Sequence, residues 1–332
     1  MPLDIKQAAV ANDWAHDRPL TCCRFDRQYR YVFCGAQDAG LHRFQLSDGA
    51  KTTFNGGHET WIRALTSTLD GNQMLSGGAD GKLAWWDVAA ADASAKPIRV
   101  IDAHKGWIRC LDTHSGGTLI ASAGNDGMVR LWNAADGALV REFKAHDRDI
   151  YCVAFHPNGE FVFSGDLMGQ LKQWKVETGE LVREFDAKEL HSYNGGQQVD
   201  FGGVRGIAVS PDGKFLAAGG LHKATNPLGA VHEPLVQLFE WESAKLAKSQ
   251  VADDIKQGVL WRLQYLADGT LMGVDGGGNG GFLIFWNSEG EKDIHRFKLP
   301  NLARDMDLSP DGLHVATAHY DKHVRITRLG PA

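Results

Sequence analysis

At 332 residues the chain is more than twice the length of a usual domain, a size that closed β folds reach as one unit, so length does not force two domains. Its net charge of -6 and isoelectric point near 6.1 argue against a general nucleic-acid binder, which carries a net basic face or stripe. The first residues, MPLDIKQAAVANDW, lack the charged-then-apolar plan of a signal peptide, and no window approaches the roughly 18 unbroken apolar residues of a membrane span. A cytoplasmic protein that binds neither membrane nor nucleic acid is expected.

In chain order, His16, His58, His104 and His146 stand 42, 46 and 42 residues apart, each followed four positions later by Leu20, Ile62, Ile108 or Ile150. A second ruler ends each unit: GLHRFQ with Phe44, KLAWWD with Trp86, MVRLWN with Trp132, QLKQWK with Trp174, LVQLFE with Phe239, FLIFWN with Trp286 and HVRITR with Thr327. Those are seven units at intervals of 42, 46, 42, 65, 47 and 41 residues, a period at which repeat architecture must be tested first. Within each unit short alternating segments are punctuated by turn signals such as SPDG, HPNG and NDG, and four strands per unit are what a propeller blade requires.

On these residues the chain resembles the WD-repeat β-propellers, over essentially residues 4 to 329 and most closely in repeats two and three. The resemblance implies an all-β fold: one seven-bladed β-propeller domain with four antiparallel strands per blade, at about 13–56, 57–102, 103–144, 145–187, 200–248, 256–298 and 301–329. A closing strand from residues 4–10 would complete the last blade. It also implies that His58, Ser76, Asp80 and Trp86 in repeat two, and His104, Ser122, Asp126 and Trp132 in repeat three, form buried hydrogen-bond chains, since such groups can be buried only when each satisfies another. Ser, His and Asp could instead be a hydrolase triad, but they recur at fixed offsets from a Trp and no GxSxG turn accompanies them. Repeat four has Met168 at the Asp position, repeat one keeps His16 and Asp38 with Phe44 for Trp, and repeat seven keeps Thr317 and Asp321 with Thr327 for Trp; these blades are expected to lean on apolar packing and to be looser.

The five cysteines, Cys22, Cys23, Cys34, Cys110 and Cys152, include no CxxC pair and make neither a disulfide framework nor a zinc pattern. Cys22, Cys110 and Cys152 share a small-residue slot with Ala64.

Trp107 and Arg109 do not follow from the blade's needs, because strand alternation points them away from Ile108 and Cys110. In the family these positions lie at the top rim of the central channel. Aligned across repeats, they give Trp61 and Arg63, Trp107 and Arg109, Asp149 and Tyr151, Gly203 and Arg205, Val259 and Trp261, and Leu302 and Arg304. Arg and aromatic side chains are enriched at binding hot spots and Arg suits carboxylate or phosphate. The expected function is therefore a non-enzymatic scaffold that holds a protein or peptide, acidic or phosphorylated, on a top face built from Trp61, Arg63, Trp107, Arg109, Tyr151, Arg205, Trp261 and Arg304. The protein would act as a monomeric ring, alone or within a larger complex. The plainer reading pairs these arginines with acids such as Glu59, Asp149 or Asp305. A propeller hydrolase or lyase acting on a small molecule in the channel is the alternative; no cofactor is expected.

The long interval holds two extra loops, at 186–203 and 219–234, on the same face. Their His191, His222 and His232 match no compact ligand spacing, so no metal is expected. DGGGNGG at 275–281 lacks the Lys of a phosphate loop and precedes a strand rather than a helix, so it reads as a turn between strands.

Overall fold

The computed structural model describes residues 3–92, 94–225, 232–252 and 254–331. The fold is all-β, a seven-bladed β-propeller in which each blade is a four-stranded antiparallel sheet. Blades one to three are built from strands within 20–54, 62–102 and 108–144, and blades four to six from strands within 150–186, 206–251 and 260–299. Blade seven takes Ala303–Leu308, His314–His319 and His323–Arg328 and adds Ala9–Ala15 from the other end of the chain. Tertiary contacts divide the chain into two compact units, Met1–Lys144 with Arg304–Ala332, and Ala145–Ala303. The first holds blades one, two, three and seven; the second holds four to six. Among the described residues no helix is long and apolar enough to cross a membrane.

Inner strands such as Leu20–Phe25 and Glu233–Glu240 are buried on both faces, outer ones such as Leu139–Lys144 alternate, and within each unit the cores form between consecutive blades. In the first unit Leu20, Cys23, Val32 and Phe44 of blade one pack with Ala316, Val324 and Ile326 of blade seven. Leu41, Phe54 and Phe33 meet Ile62, Leu65 and Trp86 of blade two. In the second unit Val236 and Leu238 of blade five meet Leu260, Ile284 and Trp286 of blade six. A fully buried Leu or Phe contributes about 1.5–3 kcal/mol, and because the partner sits on the next blade, one blade alone cannot realise it. Cys22, Ala64, Cys110 and Cys152 pair across the strand with Gly35, Gly77, Ala123 and Gly165, so the slot stays narrow. Burial pushes the Cys22 thiol up to about 12, and all five cysteines are free thiols.

The strand that completes blade seven is Ala9–Ala15, not residues 4–10. Residues Ile5–Gln7 turn as a 3-10 helix, and the Lys6 amide donates to the Asp4 side chain. The strand then pairs from Ala9 opposite Arg328 to Ala15 opposite His323. Asp13 fixes the register, accepting from His323 at 2.5 Å and from Arg325 at 3.0 Å. The expected strand at 4–10 stops short of Asn12–Trp14 because the partners that order Asp13 lie more than 300 residues away.

The interval before blade five is also more ordered than a loop. It contains a 3-10 turn, Lys188–Leu190, and a two-stranded hairpin, His191–Asn194 with Val199–Gly202. Blade five's middle strands run on to Phe215–His222 and Glu233–Glu240; positions 226–231 of the second loop lie outside the described residues. The Gly-rich stretch belongs to two paired strands, with Gly276 opposite Gly281 and Gly277 opposite Gly280. A Cβ at Gly277 would collide with the Gln257 carbonyl, so the glycines there permit close backbone approach.

Candidate functional site

The repeated polar residues form directional chains. In blade two the Trp86 indole N–H donates to Ser76 Oγ at 2.8 Å, and Ser76 Oγ lies 2.7 Å from His58 Nε2. The Asp80 carboxylate can only accept, so His58 Nδ1 carries the proton that points to it at 3.2 Å, and the bare Nε2 accepts from the serine hydroxyl. Blade three repeats this with Trp132, Ser122, His104 and Asp126 at 2.8, 2.7 and 2.9 Å. Burial opposes the Asp126 charge, but His104, and then Arg130, hold its carboxyl well below the usual range. Burial also lowers the proton affinity of His104, against the pull of Asp126.

Blade four makes the same chain, with Trp174, Ser164 and His146, and closes it on Asp166 at 3.0 Å. The expectation of a broken chain there, from Met168, is corrected: Asp166, at the end of the second strand, replaces the acid of the turn. All three serines are wholly buried between imidazole and indole, where a substrate cannot reach them.

Four of the rim residues, Arg63, Arg109, Tyr151 and Trp261, owe their direction to β-bulges rather than to simple alternation. Register shifts recur between Leu20 and Cys22, Ile62 and Ala64, Ile108 and Cys110, Ile150 and Cys152, and Leu260 and Arg262. The extra residue in each is Thr21, Arg63, Arg109, Tyr151 or Trp261, and a bulge re-aims that side chain. In the first unit this gathers one cluster. The Arg63 and Arg109 guanidinium carbons stand 5.4 and 5.0 Å from the Trp107 ring centre. Trp61, 36% exposed, lies 6.4 Å from the same ring. Arg109 also donates to Asn125 Oδ1 at 2.6 Å. The Trp107 carbonyl accepts from the Asn125 amide, and a Cβ at Gly124 would collide with that carbonyl, which holds Trp107 in place.

In the second unit Arg205 lies between two aromatic faces, 4.6 Å from Tyr151 and 4.7 Å from Trp261, with the Trp261 indole anchored on the Gly276 carbonyl at 3.0 Å. Arg304, in blade seven of the first unit, stands 5.7 Å from Tyr320, itself 48% exposed. The acids named as plain partners are engaged in part elsewhere: Asp305 with buried Arg24 at 2.7 Å and Glu59 with Lys82 at 2.5 Å.

The WD domain, G-beta repeat family matches residues 50–87, 95–133, 137–175, 188–223 and 295–327, together more than half of the chain. The chain belongs to the WD-repeat family. A WD repeat-containing protein of Schizosaccharomyces pombe is 29% identical over 91 residues, covering 26% of this chain and 23% of that relative; the match thus spans less than a quarter of the relative's length.

The WD match explains a feature of the construction. The segment 50–87 begins with the fourth strand of blade one and ends with the third strand of blade two, and 95–133 and 295–327 are offset in the same way. A WD repeat in sequence therefore straddles two consecutive blades. Sequence reasoning missed Asn125 and Tyr320 beside the rim arginines, and Thr21 at the equivalent bulge of blade one. Only Thr21 left a signal, since it falls five residues after a repeat His, as Arg63 and Arg109 do.

Proposed function

We propose that the protein is a non-enzymatic interaction scaffold that binds a peptide or protein segment bearing acidic or phosphorylated side chains, with Trp61, Arg63, Trp107 and Arg109 as the principal contact cluster. WD-repeat propellers in general serve as protein-interaction scaffolds, which supports the class. The arrangement of Arg63 and Arg109 against one indole carries the finer reading. Stacking engages the guanidinium face and presets the orientation of a planar fork matched to carboxylate or phosphate, while neighbouring Trp61 offers rigid apolar area. Arg304 with Tyr320 repeats the pairing within the first unit and is proposed as a further contact; Arg205 with Tyr151 and Trp261 repeats it within the second unit and is proposed as a contact site in its own right.

The test uses the full chain on an array of random peptides, with and without phosphoserine. The expected selection is of acidic or phosphorylated sequences, with Arg63→Ala and Arg109→Ala each weakening the best peptide roughly tenfold, the scale of a hot-spot truncation, and Arg304→Ala weakening it less. Selection of neutral or basic peptides, or unchanged affinity in all three variants, would overturn the assignment.

A further inference from the structure

Blade one departs from the hydrogen-bond chain of its neighbours in a consistent direction. Cys34 stands in the Ser position and Phe44 in the Trp position, while His42 occupies the place of Ala84 in blade two and Arg130 in blade three. His16 Nε2 meets one oxygen of Asp38 at 2.8 Å, and His42 Nε2 meets the other at 3.0 Å. The two imidazole rings are 3.7 Å apart. Both histidine side chains are almost wholly buried, at 3% and 1% exposure, whereas Asp38 is 28% exposed. Arg130 and Arg325, at the same strand position, also bond the turn aspartates of their blades, but a guanidinium only donates; His42 alone among these three brings a nitrogen that can ligate an ion.

We infer that His16, Asp38 and His42 form a binding site for a divalent transition-metal ion of the zinc class. Two imidazole nitrogens and a carboxylate are a typical three-residue ligand set for zinc, and here one ligand atom from each lies within 4.8 Å of the others. The partly exposed Asp38 side chain gives an entry path.

The outer contacts carry the same logic. Without an ion, each Nε2–H donates to Asp38. With an ion, each Nε2 coordinates it and the proton resides on Nδ1. For His42 that N–H has an acceptor ready, Thr53 Oγ1 at 2.9 Å. For His16 the position is contested, because the Lys51 ammonium lies 3.3 Å from Nδ1. Lys51 also lies 3.7 Å from exposed Asp17, toward which it turns when Nδ1 carries the proton. Lys51 thus opposes the ion, both by charge and by competing for that nitrogen.

Calorimetric titration of the chelator-stripped full chain with zinc tests this, with cobalt absorption reporting the coordination geometry. One equivalent of zinc is expected. His42→Gln, which retains a hydrogen-bond donor in the blade, weakens binding by more than the roughly 10–100-fold that loss of an outer-shell partner costs, with an unchanged circular dichroism spectrum, and Lys51→Met tightens it. The inference fails if no saturable binding occurs, if wild type and His42→Gln bind equally well, or if Lys51→Met binds more weakly than wild type. The peptide array reads the rim arginines instead, so the two assignments fail separately.

Discussion

One serine hydroxyl is the hub of each complete blade chain, accepting from a Trp and donating to a His that is in turn held by an acid. Removing one partner leaves the next group buried without its bond, which costs about 1–3 kcal/mol. Blade four provides the sharpest comparison, because two side chains compete there for the role of acid. Asp166→Ala is expected to lower stability in urea unfolding by about 1–3 kcal/mol, since His146 Nδ1 loses its acceptor. Met168→Ala, two residues along in the turn, leaves the chain intact and is expected to cost less. Equal losses in the two variants would reverse the assignment of Asp166.

At the scale of elements, the strand Ala9–Ala15 does what sequence proximity cannot. It covers the edge of His323–Arg328 with a ladder broken only by a bulge between Val10 and Asn12, and Asp13 accepts two side-chain bonds from that strand. A bare edge strand invites pairing with another chain. A variant that begins after Ala15 is therefore expected to elute as aggregates or higher oligomers in size-exclusion chromatography, whereas Asp13→Ala, which keeps the ladder, elutes as wild type does. Bulges are the second device at this scale. Strict alternation accounts for the apolar anchors Ile62 and Ile108, but Arg63 and Arg109 are the extra residues of their bulges. Their convergence on Trp107 was not readable from period two alone.

At the scale of the molecule, a net charge of -6 disfavours the approach of an acidic partner, so the proposed binding rests on local guanidinium groups. Screening shortens the Debye length from about 10 Å at 0.1 M to about 3 Å at 1 M salt. Affinity for an acidic peptide is expected to fall steeply over that range, measured by fluorescence anisotropy; a flat response would point to apolar contacts through Trp61 and Trp107 instead. The fold was legible because its signals are local and repeated: His58 and His104 at a fixed offset from Trp86 and Trp132, with turn chemistry between. Blades five and six lack the repeat His and fall largely outside the matched segments, and the hairpin at 191–202 was read as a loop. The sequence by itself determined the blade count, the all-β class and the polar residues that tie blades two and three, because each of these recurs within one repeat length. Tertiary structure decided the rest: that Asp166 closes blade four, that Ala9–Ala15 completes blade seven, and that His42 joins His16 on Asp38. Those outcomes depend on bulges, on strand ends and on partners far apart in the chain, where distance in space and not spacing in sequence sets which groups meet.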